Sequence, residues 1–203
     1  MQNFFELLKL TLFSPRSVLS ILVDIKLTNL KLIEALIFVT CFSTTITFLS
    51  LYLQIWLYKG NILEMDPIFV FFSKLPFLLV LIQITAIFVF SFLITFIGRF
   101  FSGKGDFLTV FRFVIWINFI LALINVLQLL LILISISIAG LVGIIGTLWS
   151  VWATSALTAQ AHGFKSTSLT AFAGAIITIG ILFVIIVFLQ LTGLLFFEEM
   201  LDV

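Results

Sequence analysis

Charged residues divide this chain into four long stretches that carry no charge. The stretches run through residues 35–58, 75–98, 113–164 and 166–197. A transmembrane helix needs about 20 apolar residues to cross a hydrocarbon core about 30 Å thick. The third stretch is long enough for two such helices with a turn between them, and each of the others is long enough for one. The pattern therefore predicts an all-α integral membrane protein, a bundle of five transmembrane helices.

The predicted organisation has three parts. Residues 1–32 form an N-terminal cytoplasmic or interfacial segment, residues 33–197 form the transmembrane domain, and residues 198–203 form a short acidic tail. The five spans are predicted at residues 33–57, 75–98, 109–133, 139–162 and 169–196. Strands are not expected, because the strands of a membrane barrel alternate between apolar and polar residues, and these stretches do not.

The N-terminal segment has the pattern of a short amphipathic helix. Ser14 and Pro15 are typical of a helix start, as N-cap and first helical residue. Apolar residues recur from Val18 to Ile25, with polar residues between them. A helix of this kind can lie at the cytoplasmic membrane interface. Further along the chain, Asp106 is predicted to cap the third span.

Composition indicates that lipid surrounds most of the chain. Hydrophobic residues make up 63% of the sequence and charged residues 9%, against about 45–50% and about 25% in soluble domains. The mean hydropathy is +1.39. A water-soluble fold of 203 residues could not bury this much apolar surface. We expect membrane lipid as a partner and no nucleic acid.

The basic residues predict the orientation of the chain. Four lie in the N-terminal segment, three in the loop after the second span and one in the loop after the fourth, whereas two lie in the loop after the first. In chain order they are Lys9, Arg16, Lys26 and Lys31, then Lys59 and Lys74, then Arg99, Lys104 and Arg112, and finally Lys165. Because cytoplasmic loops carry an excess of Lys and Arg, we predict a cytoplasmic N-terminus and an outside C-terminus.

Small residues recur along one side of the fourth predicted span and match a small surface on the fifth. The helix-packing candidates are Gly143, Gly146, Ser150, Thr154 and Thr158 in the fourth span, and Ala171, Gly174 and Ala175 in the fifth. Small residues at this spacing let membrane helices approach closely. We predict that these two spans form a tightly packed pair, and the alternative is that the stripe lines a substrate path.

The inventory of reactive side chains is nearly empty. The chain has one His and one Cys, and no Asp or Glu between Asp106 and Glu198. It contains no HExxH, P-loop or GxSxG pattern, and a lone histidine cannot form a metal site. We therefore predict no enzyme activity, no catalytic residue, no cofactor and no metal.

Three polar residues could still be functional. His162 lies where the fourth span meets a loop, and it could cap the helix C-terminus or serve in recognition or proton handling. Asn118 and Asn125 lie within the third span. Hydrogen bonding between helices is the default role for such amides, and a functional role is the alternative.

Three segments carry a recognisable pattern. Residues 12–16, Leu-Phe-Ser-Pro-Arg, precede the amphipathic segment. Residues 98–111 form a basic, glycine-bearing loop that runs into an aromatic third span. Residues 148–166 contain a Trp, then small residues, then the sequence His-Gly-Phe-Lys-Ser. Together these segments resemble the Yip1 domain family in its small bacterial form, over roughly residues 12–195.

The resemblance implies five spans with a cytoplasmic N-terminus, and the short form implies a bacterial inner membrane. Eukaryotic members are linked to Rab GTPases and to membrane traffic between the ER and the Golgi. This chain lacks their long polar N-terminal region, so we expect no Rab-type GTPase as a partner. Bacterial members generally have no assigned activity.

These observations leave three functional hypotheses. The preferred one is a non-catalytic membrane scaffold or adaptor in membrane organisation or trafficking-like processes, with other membrane proteins or further copies of itself as partners. The alternative is a small channel or transporter subunit that acts as an oligomer, although the predicted spans lack the ionisable residues of ion-coupled pumps. A membrane enzyme that uses His162 and Asp106 is disfavoured, because no nucleophile lies beside a base.

Overall fold

The computed structural model describes residues 4–25, 27–58 and 75–191, and every regular element in these ranges is a helix. The helices are α1 (Phe4–Phe13), α2 (Pro15–Asp24), α3 (Asn29–Tyr58), α4 (Pro76–Phe100), α5 (Phe107–Ile132), α6 (Ile136–His162) and α7 (Thr167–Leu191). The loop predicted at residues 59–74, the end of the fifth predicted span at 192–196 and the acidic tail at 198–203 lie outside the described residues.

Four of the helices, α3 to α6, are long and apolar enough to cross a membrane. They contain 30, 25, 26 and 27 residues, which corresponds to about 38–45 Å at the rise of an α-helix. In α7 the apolar stretch that can be assessed, Thr167–Gly180, is too short to count as a further span. The described residues therefore contain four candidate spans, and the fifth stays a prediction.

The first long helix begins earlier than the sequence pattern indicates. It was expected from residue 33 and starts at Asn29. The hydroxyl of Thr28 accepts a hydrogen bond from the backbone N–H of Lys31, and its carbonyl accepts one from that of Leu32, at 3.4 and 3.1 Å. Thr28 thus caps the helix, because it satisfies an N–H group that has no partner within the first turn.

Helix α5 lies at the centre of the bundle and contacts α3, α4 and α6. Its residues Val110, Phe113 and Val114 are almost completely buried. Between α3 and α4, the hydroxyl of Thr44 donates a hydrogen bond to the side-chain oxygen of Gln83 at 3.2 Å. Buried residues of α5 therefore form much of the core of the bundle.

Two of the glycines of α6, Gly143 and Gly146, pack against α5. A Cβ atom added to Gly146 would lie 3.0 Å from the Ile124 side chain, and one added to Gly143 would collide with the Gln128 amide. Gly174 is exposed, and a Cβ there would meet nothing within 4 Å. Gly143 and Gly146 of α6 thus face α5, and Gly174 makes no close contact. Helices α6 and α7 are in contact, and their tight pairing through the other small residues stays a prediction.

The N-terminal segment forms two helices, where the sequence pattern predicts one. Ser14 occupies the N-cap position of α2, but its side chain makes no capping hydrogen bond. On α2, Val18, Leu19 and Leu22 are buried and belong to the same core as α5 and α6 residues. The apolar face of α2 is therefore covered by the bundle itself.

Candidate functional site

The C-terminus of α6 and the turn that follows it form the centre of the site. Gly163 ends the helix with a φ of +76°, a left-handed conformation that glycine adopts without a Cβ penalty. The N–H of Phe164 donates to the carbonyl of Ala159 at 2.7 Å. The turn leaves the ring of Phe164 stacked on that of His162, with centroids 5.5 Å apart.

Three glycines of the α4–α5 region enclose the imidazole of His162. A Cβ atom on Gly103 or Gly105 would lie 2.6–2.7 Å from the ring, and one on Gly98 would overlap it. Only residues without a side chain leave room for the ring at these three positions. The spacing of the glycines is thus explained by His162, which is 2% exposed.

The hydrogen bonding of His162 fixes its tautomer. Its Nδ1 lies 3.1 Å from the carbonyl oxygen of Thr158, and a carbonyl can only accept, so Nδ1 carries the proton. The other ring nitrogen, Nε2, is buried and has no hydrogen-bond partner among the described residues.

The loop between α4 and α5 is held to this centre by backbone hydrogen bonds. The N–H of Lys104 donates to the carbonyl of His162 at 3.2 Å, and the N–H of Gly103 donates to that of Gly98 at 2.8 Å. Within the loop, Nε of Arg99 donates to the carbonyl of Gly105 at 3.0 Å. The loop therefore closes over the end of α6 as one folded unit.

Two arginines connect α2 to the bundle through backbone carbonyls, one to the α6–α7 turn and one to α5. Arg16 donates to the carbonyls of Phe164 and Lys165 at 3.2 and 3.1 Å. Arg112 donates to those of Val23, at 3.3 Å, and Leu27, at 3.5 Å. The planar guanidinium presents several donors in a fixed geometry, which suits it to bridge two carbonyls at once.

Two tryptophans hold α1 in the same way. The indole N–H of Trp116 donates to the hydroxyl of Thr11 at 3.0 Å, and that hydroxyl donates to the carbonyl of Leu7 at 2.7 Å. The indole N–H of Trp149 donates to the carbonyl of Leu12 at 3.1 Å. Helix α1 thus crosses α5 and α6 and is bonded to both.

Asp106 caps α5, as predicted, by accepting a hydrogen bond from the N–H of Thr109 at 3.0 Å. Burial acts to raise the pKa of this carboxyl. Hydrogen bonds from Thr109 and from its own backbone, together with the charge of Arg112, outweigh burial, so the pKa of Asp106 lies below its usual 3.8. The carboxylate is held in its charged form, which favours the helix N-terminus.

The outer side of this region presents aromatic and basic side chains together. Phe13, Phe100 and Phe101 are exposed, at 74%, 80% and 58%. Lys104 in the α4–α5 loop and Lys165 in the α6–α7 loop are also exposed. We call this surface, formed by the exposed residues of α1, the α4–α5 loop and the α6–α7 loop, the basic face.

The remaining predicted site residues are dispersed. Asn118 bonds to the carbonyl of Val114 in its own helix at 2.9 Å, whereas Asn125 lines a cleft far from His162. The half-buried packing candidates are Ser150, Thr154, Thr158 and Ala171, and Ala175 is exposed. Within the described ranges, no group of three His, Cys, Asp or Glu residues could hold a metal ion.

Sequence reasoning missed the partners of His162 and the two bridging arginines. The glycines at 98, 103 and 105 gave a signal, since three glycines near a loop can mark close backbone approach. A second signal was Arg112, which is a charged residue one turn inside an apolar helix. Neither signal names the distant residue that it contacts, and so neither revealed the site.

Comparison with known proteins identifies the family of this architecture. The Yip1 domain matches residues 9–189, a range that includes both bridging arginines, the three glycines and His162. No curated protein and no solved structure matches the chain. The domain match extends over most of the chain, and the protein accordingly belongs to the Yip1 domain family.

Proposed function

We propose that this integral membrane protein is a non-catalytic scaffold that recruits other membrane proteins through its basic face. One observation carries the proposal. The terminal guanidinium nitrogens of Arg16 and Arg112 and the indole N–H groups of Trp116 and Trp149 bond to the chain itself. Phenylalanines and lysines of the basic face, by contrast, are exposed. Exposed aromatic residues support an interface, because aromatic residues are enriched in the core of protein interfaces and a polar rim surrounds them.

The proposal includes the orientation in the bilayer. The basic face lies in the cytoplasm, and α7 forms the fifth span and carries the C-terminus to the outside. The excess of Lys and Arg on one side supports this orientation. A bacterial inner membrane is the proposed location.

Helices α1 and α2 lie at the cytoplasmic membrane interface in this arrangement. The ring of Phe4 packs edge-on against the rings of Trp116 and Phe119, with centroids 6.3 and 6.2 Å apart. Phe5 is 80% exposed and would face lipid. Helix α1 then lies on the lipid side, while the arginine bridges keep α2 on the bundle.

Site-specific photo-crosslinking in native membranes tests the scaffold. A photoreactive phenylalanine replaces Phe101 in the basic face, and in a matched control it replaces Phe172, which is 66% exposed on α7. We expect discrete protein adducts from position 101 that are absent from position 172. If positions 13, 100 and 101 all yield the same adducts as position 172, or none, the scaffold function is refuted.

A further inference from the structure

A cleft of about 490 Å³ opens between α3, α5 and the start of α6. Its polar lining consists of Thr47, Ser50 and Gln54 from α3 and Asn125 and Gln128 from α5. The residues between these groups are apolar or small, and every lining residue is uncharged. Polar side chains from two helices thus converge on one space within the predicted hydrocarbon layer.

The depth of the cleft follows from helix geometry. At roughly 1.5 Å per residue, Asn125 lies about 20 Å along α5 from Arg112, and Gln54 lies about 30 Å along α3 from Glu34. The cleft therefore occupies the half of the bundle away from the basic face. Asn125 and Gln54 lie about 10 and 6 Å from the ends of α5 and α3 at Ile132 and Tyr58, which is close to the level of the polar region of the lipids.

Amides at this depth need hydrogen-bond partners. Leaving a polar group unpaired in an apolar medium is strongly unfavourable. The side-chain N–H of Gln128 donates to the carbonyl of Ala139 at 3.1 Å, and the hydroxyl of Thr47 donates to that of Ser43 at 3.0 Å. These bonds leave the oxygens of Thr47 and Gln128 able to accept further bonds, and the amides of Gln54 and Asn125 can both donate and accept.

We propose that the cleft binds the uncharged polar region of a membrane lipid, with its hydroxyl and ester carbonyl groups bonded to these side chains. An uncharged headgroup is indicated because burying a charge against neutral side chains would be costly. Leu51, Ile132 and Ile136 offer the adjoining apolar surface that an acyl chain requires. Diacylglycerol has the required chemistry and serves as the probe.

Gly140 provides a way to close the cleft without disturbing the fold. It lines the cleft, and a Cβ atom there would meet nothing within 4 Å. Leucine is a better helix former than glycine, so Gly140→Leu fills the space and leaves α6 intact. Gly174→Leu is the matched control, because Gly174 also faces open space but lies in α7, outside the cleft.

The experiment uses the full chain in phosphatidylcholine nanodiscs with a photoactivatable, clickable diacylglycerol. We expect labelling of peptides from α3 and α5 that falls at least about 10-fold in Gly140→Leu, which removes about 1.4 kcal/mol or more of binding, and stays unchanged in Gly174→Leu. Asn125→Leu should reduce labelling about 2–10-fold, the equivalent of one hydrogen bond. Its control is Asn118→Leu, since Asn118 bonds within its own helix.

Five results would overturn the proposal. Labelling that persists in Gly140→Leu, or that spreads evenly over all lipid-facing helices, shows that the cleft is not a site. Equal, Gly140-sensitive labelling by photoactivatable phosphatidic acid refutes the selection of an uncharged headgroup. Competition by millimolar glycerol indicates a water-soluble ligand instead of a lipid. Crosslinking between two copies of the chain that Gly140→Leu abolishes shows that the cleft is a protein interface.

Discussion

The imidazole of His162 fills the space that a side chain at Gly98 would require. The two residues belong to different long helices, α4 and α6, and their contact fixes where the ends of these helices meet. The ring cannot retreat easily, because it stacks on Phe164 and its Nδ1 bonds to the carbonyl of Thr158. The pair therefore holds the ends of α4 and α6, which carry the basic face, in a fixed relative position.

The contact between Gly98 and His162 can be tested with a double-mutant cycle. Gly98→Ala should lower the free energy of unfolding by about 1–3 kcal/mol, the cost of overpacking a filled site. In a His162→Ala background the ring is gone, so the same substitution should cost much less. Thermal unfolding in mild detergent measures both steps. A coupling of less than about 0.5 kcal/mol would mean that the two residues act independently.

The sequence predicted the helices of the bundle well and their partners poorly. The uncharged stretches predict that α3 to α6 exist. The cap at Asp106 could also be predicted, because its hydrogen bond joins residues only three apart in the sequence. The contact between Gly98 and His162 could not be predicted, because it depends on how α4 and α6 cross. The packing of Gly143 and Gly146 against α5 has the same origin, since a stripe of small residues does not indicate which neighbour it faces.

The bridge from Arg16 to the α6–α7 turn should keep α2 on the bundle. Arg16→Lys retains the charge but loses the planar group that spans the carbonyls of Phe164 and Lys165. We expect amide hydrogen exchange in α2 to accelerate about 5–100-fold, which corresponds to about 1–3 kcal/mol for bonds to a charged group. The control is Lys9→Arg, a change at an exposed position of α1, which should leave exchange unchanged.

The cap at Asp106 predicts a dependence of stability on pH. Because the pKa of Asp106 is lower in the folded protein than the usual 3.8, its contribution is fully present above that value and is lost as the pH falls through the folded pKa. Asp106→Asn should flatten this acid limb. Thermal unfolding between pH 3 and 6 (roughly the range in which carboxyls titrate) measures the effect.

The matched control for this cap is Asp24→Asn, which removes an exposed carboxyl at the end of α2. It changes the net charge by the same amount without removing the capping bond to Thr109. If the two variants show the same acid limb, the loss of charge and not the cap explains the pH dependence.

Cysteine accessibility should reveal the orientation of the spans. Cys41 is the single cysteine, so Cys41→Ala provides a background for one introduced thiol at a time. Ser102→Cys and Ser168→Cys place thiols at exposed positions, one after α4 and one at the start of α7. Both thiols should react with a thiol reagent only after the membrane is permeabilised. One at Ser137, at the start of α6, should react in intact cells. Reaction of Ser102 and Ser168 variants on opposite sides would contradict the proposed topology.

The packing of α6 against α5 gives opposite expectations for two glycines. Gly143→Ala would push the Gln128 amide aside and break its bond to the carbonyl of Ala139, which should cost about 0.5–1.5 kcal/mol. Gly174→Ala meets open space and should leave stability unchanged or slightly higher, because alanine favours the helix. Thermal unfolding of both variants decides which neighbour receives the small face of α6. A loss confined to Gly174→Ala would show that α7, and not α5, is that neighbour.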